Sequence, residues 1–561
     1  MENYCSFETV CQLQDQLSNK SDTYLNELIE FIENKHFFNN NDSISDLLDT
    51  LSLFFNADRI PSDVLTLILV QFQDQLTKYF ENKSILNMYP FETFKFFILH
   101  FSDLNIVKLE PNKMIEAHQY FSPEMNFTFH RKKTDDFQSE EEFIQFRRSG
   151  RNGRKICEII RNDNLSEFQQ ILSSTTAKIT DTIPPSLFER FEMINQKGIG
   201  FIEYSAFFGS ISIFKFLLAN KVKVPPNLGQ FAIAGGNYEI VHLCEEQNVS
   251  FDDCLKVAIQ FKQDELVEYL LNNYQLTSDL YEIAFKSFNC EIIRKIIFDL
   301  FEFNEGEEKE EMIEKIIKNT IMCGHISILS FEIENGLIEY IENELFLMVE
   351  YHRYSMLELT FDYIEDIEFV NQIDNDYGMR LIDFAIKKDL RCFSFLCGID
   401  GVDLNGLKET GQEAPVIRIA RLNKTNLFET FLSRILIGLE DDENVDDYFE
   451  INAENNEGET ALHIACMKGN TEIVKMLTNF VSINVDRQNN EGQTPLHYAA
   501  IKGSIDIVIF LVSKCQANKN LRDNKGIFFL LLFLSYSTRL CFTKRFHGHR
   551  SFSLWKCKAE P

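Results

Sequence analysis

Residues 455–477 read N-N-E-G-E-T-A-L-H-I-A-C-M-K-G-N-T-E-I-V-K-M-L, and residues 489–511 read N-N-E-G-Q-T-P-L-H-Y-A-A-I-K-G-S-I-D-I-V-I-F-L. Gly458 to Gly492 is 34 residues, as are His463 to His497 and Gly469 to Gly503. A further turn, Asp523-Asn524-Lys525-Gly526, falls in the same register. A fixed period in this range marks a stacked repeat array, in which each unit buries its apolar face only against its neighbours.

Each unit reads as a helix pair. Asn-x-x-Gly, closed by Gly458 or Gly492, supplies a tight turn. Thr460 and Thr494 stand where an N-cap is wanted, and Pro495 suits the first helical position. Leu462, Ala465 and Cys466, like Leu496, Ala499 and Ala500, recur at helical spacing, and their small members let neighbouring helices approach. Gly469 and Gly503 end the first helix where a left-handed residue is favoured. Ile473, Val474 and Leu477, then Ile507, Val508 and Leu511, form the inner face of the second helix.

G-E-T-A-L-H-I-A and G-Q-T-P-L-H-Y-A-A, each followed by Gly and then E/D-I-V, resemble ankyrin repeats. The resemblance covers about 70 residues. It implies that the rings of His463 and His497 hydrogen-bond a neighbouring turn, so they are structural and not metal ligands. Upstream, Ala206, Ala232, Ala258 and Ala284 are each 26 apart, with Phe214, Ile240, Leu266 and Ile292 eight residues beyond them. Together with E-Y-S-A-F-F-G-S-I-S-I-F-K-F-L at 203–217, this stretch resembles the ankyrin-like domain of unknown function that precedes ankyrin arrays in large protist families. Its shorter period implies a trimmed finger between repeats.

The expected fold class is all-α: an ankyrin-type helical-repeat solenoid with a separate N-terminal helical region. Residues 1–145 read as that domain or cap, 146–305 as degenerate ankyrin-like repeats and 306–450 as weak repeats with an acidic insertion from Glu440 to Glu450. Residues 451–526 read as ankyrin repeats and 527–561 as an atypical tail. In the weak segment, Asp374-Asn375-Asp376-Tyr377-Gly378 opens one unit, and Gly411 opens another that lacks the histidine and runs one residue out of register. The tail breaks the pattern, as a truncated or frame-shifted array would. Its apolar start, Ile527 to Leu534, is expected to cover the last repeat, and the basic remainder, with Lys544, Arg545 and Trp555, to be disordered.

The composition is that of a folded protein, 45% hydrophobic and 25% charged. The net charge of −31 repels phosphate and anionic membranes. Residues 301–450 hold 34 acidic and 13 basic side chains, so −21 of that charge lies there. Thirteen cysteines without any C-x-x-C point to reduced thiols in a cytosolic or nuclear setting. The N-terminus shows no secretory signal, and the longest apolar run, eight residues, falls far short of the ~20 that span a membrane.

No catalytic, cofactor or metal site is expected. Asp374-x-Asp376-x-Gly378 superficially matches a calcium loop, but Gly arrives early and the twelfth position is Ala385. Phosphate-binding glycine loops and a nucleophile elbow are missing. The basic stretch Arg131, Lys132, Lys133, Arg147, Arg148, Arg151, Arg154 and Lys155 reads as a solvated linker in preference to an importer signal or a nucleic-acid contact. The expected function is a non-catalytic protein-interaction module or scaffold in the cytoplasm or nucleus, with a protein partner of basic character and neither nucleic acid nor membrane. The alternative is an enzyme or regulatory subunit whose active domain lies in 1–145. A compact α/β domain with a concave site there favours the enzyme, and a bare helical bundle the scaffold.

Overall fold

In a computed structural model, the structure describes residues 6–18, 24–57 except 36 and 40, 59–81, 85, 91–107, 140–302 except 187 and 275–276, 307–405 except 375, 413–437 and 450–528. Among these residues the regular structure is helical, and β pairing is confined to two isolated bridges, Thr182–Gly200 and Arg522–Phe528. Gly411, residues 440–449 of the acidic insertion, Arg131 to Lys133, and the tail beyond 528 with Lys544, Arg545 and Trp555 lie outside the described residues. The chain divides into two compact units, Met1–Glu344 and Leu345–Pro561.

In the second unit, helices Leu345–Glu350, Leu381–Lys388, Pro415–Leu422, Ala461–Lys468 and Pro495–Lys502 stack in chain order. Their partners, Tyr354–Phe361, Leu390–Leu396, Thr425–Ile437, Thr471–Leu477 and Ile505–Ser513, form a second layer. The reason is visible in the burial. Ala385, Ala420, Ala465 and Ala499 have no exposed surface, and Leu462 and Leu496 almost none. Each buried leucine contributes roughly 1.5–3 kcal/mol, and the alanines keep successive helices close enough for that burial to be complete.

The first unit repeats the plan with a shorter period. Helices Lys155–Arg161, Phe201–Phe207, Leu228–Gly235, Cys254–Gln260, Ser278–Lys286 and Glu307–Cys323 stack in sequence. Ala206, Ala232, Ala258 and Ala284 sit fully buried in four consecutive members. Approach is so tight that a Cβ on Gly235 would lie 2.2 Å from the carbonyl oxygen of Ala206. Phe214, Ile240, Leu266 and Ile292 are buried on the second helices. Glu239 and Glu265 are on the outside, paired with Lys215 and the Tyr238 hydroxyl. Eight, seven and six residues separate Ala219 from Leu228, Glu246 from Cys254 and Leu271 from Ser278, against seventeen between Leu477 and Pro495. The finger of the downstream repeats is the part that is missing.

Within the same unit, helices Phe7–Ser18, Tyr24–Asn34, Asn41–Asn56, Ser62–Gln71, Gln73–Phe80 and Phe91–Asp103 pack on one another, joined by Glu140–Ser149. Their own core includes Phe37, Leu48, Phe97 and Phe101.

The solvated-linker reading of the basic stretch is corrected here for residues 140–155. Arg147 is fully buried and pairs with Asp103, which also holds Arg148 at 3.1 Å. Arg151 lies over the rings of Phe191 and Phe208, at 4.8 and 4.9 Å. Planar guanidinium groups lose less on burial when stacked on rings or paired with a carboxylate. Those partners are far along the chain, beyond the reach of a reading of local charge. Lys155 keeps the surface role, paired with Glu158 and Glu167.

Candidate protein-interaction surface

The signature residues meet at the junction between a turn and the helix that follows it. Gly458 and Gly492, in the turns, and Gly469 and Gly503, at the helix ends, have φ between +73° and +78°, which L side chains rarely adopt. Thr460 and Thr494 are extended N-caps, and Pro495 occupies the first helical position. The Thr460 amide donates to Nδ1 of His463 at 3.1 Å, and the Thr494 amide to Nδ1 of His497 at 3.2 Å. Nδ1 is therefore the unprotonated nitrogen, and Nε2–H donates across to the next repeat. His463 reaches the carbonyl of Gln493 at 3.1 Å, and His497 that of Ile527 at 3.2 Å. Each ring joins its own cap to the following turn.

This geometry needs a neutral imidazole. Burial pushes the pKa of His463 down to about 4 and lowers that of His497. An unfolded imidazole protonates near 6.5, so the unfolded chain binds the extra proton first as the solution is acidified. The stability the His463 ring contributes is present above pH 6.5 and is lost as the pH falls toward 4, and that of His497 is lost in the same direction. In urea unfolding across that window, His463→Gln is expected to flatten the loss of stability. An unaltered slope would show that this ring is not its source.

The turns are linked directly as well. Asn489 accepts from the amides of Glu491 and Gln493 with Oδ1, closing the turn, and Asn455 and Asp523 do the same in theirs. Asp374 accepts from the amides of Asp376 and Tyr377 at 2.9 Å, so it too is a turn residue. Between turns, Asn490 Nδ2 donates to the carbonyl of Asn456 and Asn524 Nδ2 to that of Asn490, both at 2.9 Å. This asparagine ladder is in the sequence as the second residue of N-N-E-G, N-N-E-G and D-N-K-G, 34 residues apart, where the pattern by itself indicates only turn chemistry. Asn456, Glu457, Asn490, Glu491, Asn524 and Lys525 are exposed at the turn tips.

A second feature escaped sequence reading. Counted from Gly378, Arg380 stands at the threonine position and Asp383 at the histidine position. Both are buried, and Arg380 Nε meets Asp383 Oδ2 at 2.9 Å. Arg380 Nη1 reaches Asp403 Oδ2 at 3.0 Å, and Nη2 donates to the carbonyl of Asn405 in the following turn. Arg418, from the next stacked helix, holds the other oxygen of Asp383 at 3.1 Å. An ion pair thus does what the Thr–His pair does, tying a cap to the next turn.

Elsewhere in this unit, an open groove of about 470 Å³ lies between helices Tyr354–Phe361 and Leu390–Leu396, lined by Tyr354, Glu358, Arg391 and Phe395 among others. The acidic excess of 301–450 is shared between the two units. Part of it lies on helix Glu307–Cys323, where Glu311 and Glu314 pair with Lys315 and Lys318. Among the described residues no group of three or more His, Cys, Asp or Glu could hold a metal ion, and no helix is long and apolar enough to cross a membrane.

Stacked helix pairs with braced turns define an α-helical repeat solenoid. A family model for ankyrin repeats (three copies) matches residues 417–523, and one for a domain of unknown function, DUF3447, matches 219–297. The chain therefore carries ankyrin repeats downstream and DUF3447 upstream, and the first matched repeat begins inside the segment read as weak. Among solved structures, an ankyrin repeat domain from Acinetobacter baumannii AYE matches at 22% identity over 35% of this chain and 93% of its own. Its TM-score of 0.29 adds nothing to the fold already described. No curated protein matches the chain. Ankyrin repeats mark a protein-interaction module and are in general non-catalytic.

Proposed function

We propose that the chain is a non-catalytic scaffold whose second unit binds a protein partner of basic character along the row of turn tips. The supporting observation is the asparagine ladder. It fixes the turn backbones to one another while leaving the tip side chains exposed, so little ordering entropy is lost when a partner docks. Glu457 and Glu491 occupy equivalent tips with Lys525 at the third; residues 451–526 balance eight acidic against eight basic side chains, so the basic character of the partner rests on these two carboxylates and on the chain's net charge of −31.

The alternative of an active domain in 1–145 finds little support. The described residues there are helical. Their one suggestive pair, Ser62 Oγ and His100 Nε2 at 3.0 Å, has the other ring nitrogen on the carbonyl of Phe96 at 2.7 Å, where a carboxylate would orient a catalytic base. His100 is buried, and burial holds its pKa down at about 4, so it is a poor proton acceptor at neutral pH.

Affinity capture from the native cell, read by mass spectrometry, should be made with the wild-type chain and with Glu457→Lys/Glu491→Lys. The expected partner is basic and is lost from the variant. With that partner in hand, the association rate should fall between low and physiological ionic strength, where the screening length is about 8 Å. A rate indifferent to salt would remove the electrostatic part of the proposal.

A further inference from the structure

In the first unit the N-terminal helices lie against the upstream repeats. Those repeats are already tied together along the edge formed by the turns between first and second helices. Asn237 Nδ2 donates to the carbonyl of Gly209, Gln263 Nε2 to that of Ala234 and Asn289 Nδ2 to that of Ile259. These three amides are 26 residues apart, in the rhythm of the buried alanines. Lys262 Nζ adds bonds to the carbonyls of Ser287 and Phe288, at 2.7 and 2.9 Å. Every one of these bonds lies inside the array, so the stack is braced without help from the N-terminal helices.

The N-terminal helices cover this braced edge, and through polar groups. Phe54 lies 4.5 Å under Lys262 Nζ and Phe55 4.0 Å under the Arg190 guanidinium. Arg59 donates to Gln263 Oε1 at 3.2 Å, and Arg294 pairs with Glu8 at 2.9 Å. Gln14 spans the edge as a further rung: its Nε2 donates to the carbonyl of Phe288 at 2.7 Å and its Oε1 accepts from the amide of Cys290 at 3.2 Å. The contact becomes apolar toward helix Ile326–Glu334, where Phe7 meets Phe331 at 5.0 Å. A joint that combines cation–ring contacts and amide bonds with one apolar end, between two parts that each have their own core, resembles an exchangeable interdomain interface more than the interior of one domain. Burial also depresses the pKa of Lys262 to about 8, so covering the edge works against its ammonium ion.

We propose that the turn edge of the upstream repeats is a protein-docking surface, and that its resident occupant is the chain's own N-terminal helical bundle. The bundle is docked by Gln14, Phe54 and Phe55, and it can leave as one unit while the array stays folded. A segment from another protein competes for the edge if it offers an amide to the backbone on either side of Asn289 and aromatic rings to Lys262 and Arg190. This inference concerns the first unit and stands apart from partner binding by the second.

Hydrogen exchange on the full chain, read by mass spectrometry, tests it without any partner. Helices Phe7–Ser18 and Asn41–Asn56 and the amide of Cys290, which bonds Gln14, are expected to share one opening event, more frequent than that of helices Leu228–Gly235 and Cys254–Gln260. Gln14→Ala should speed exchange in the first group by about fivefold or more and leave the second group unchanged. Phe54→Leu, which keeps the bundle core apolar but removes the ring beneath Lys262, should do the same. One opening event common to both groups, or a Gln14→Ala effect spread evenly over the array, would overturn the proposal.

Discussion

Leu496→Ala is expected to destabilise the downstream repeats by about 2–5 kcal/mol, the range for truncating a fully buried leucine. Leu496 is 1% exposed, on the helix that stacks against Ala461–Lys468 on one side. Its neighbours cannot close over the gap easily. Ala499 and Ala500 are already as small as side chains other than glycine come, and Pro495 fixes the start of the helix. In a solenoid the loss is shared only with adjacent repeats, so the outcome is local. Thermal and urea melts of a fragment spanning 370–561 should register the whole of it. An unchanged melt would mean that residues 489–511 do not stack as described.

Arg380→Ala is expected to cost about 3–5 kcal/mol, the penalty for leaving one partner of a buried ion pair behind. Asp383, 2% exposed, would keep Arg418, itself 20% exposed, while the carbonyl of Asn405 would lose the bond from Arg380. The double change Arg380→Thr with Asp383→His provides the sharper comparison. It writes the threonine and histidine of the downstream signature into the equivalent positions, where the ring can cap the helix and reach the next turn as His463 does. Most of the lost stability should return in the double variant but not in Arg380→Thr alone. If the double variant is no more stable than the single one, the ion pair and the Thr–His pair are not equivalent devices.

Much of the architecture was legible because repeats state their rules more than once. The 34-residue period, the threonine caps and the left-handed glycines were each readable twice, and the 26-residue alanine rhythm four times. Arg380 and Asp383 were missed although their register from Gly378 matched, since attention to residue type hid an equivalence of position. The amides at 237, 263 and 289 keep the alanine period but vary between Asn and Gln, and they fall in turns where polar residues attract no notice. For the basic stretch, charge along the chain could not show that Asp103, Phe191 and Phe208 would take the arginines out of water.

By itself the sequence determined the class of fold, with ankyrin repeats downstream and the ankyrin-like stretch of unknown function upstream. The features that mark them are local: a helix start, a left-handed glycine or an alanine facing its neighbour needs only the residues within one or two turns of chain. Tertiary structure alone decided which nitrogen of His463 carries the proton, that an ion pair stands in for the Thr–His pair, and that the N-terminal helices lie along the upstream repeats. Each of these depends on groups that are apart in the chain, by 276 positions for Gln14 and Cys290 and by 286 for Glu8 and Arg294, and hydrogen bonding and desolvation act on distance in space and not along the chain.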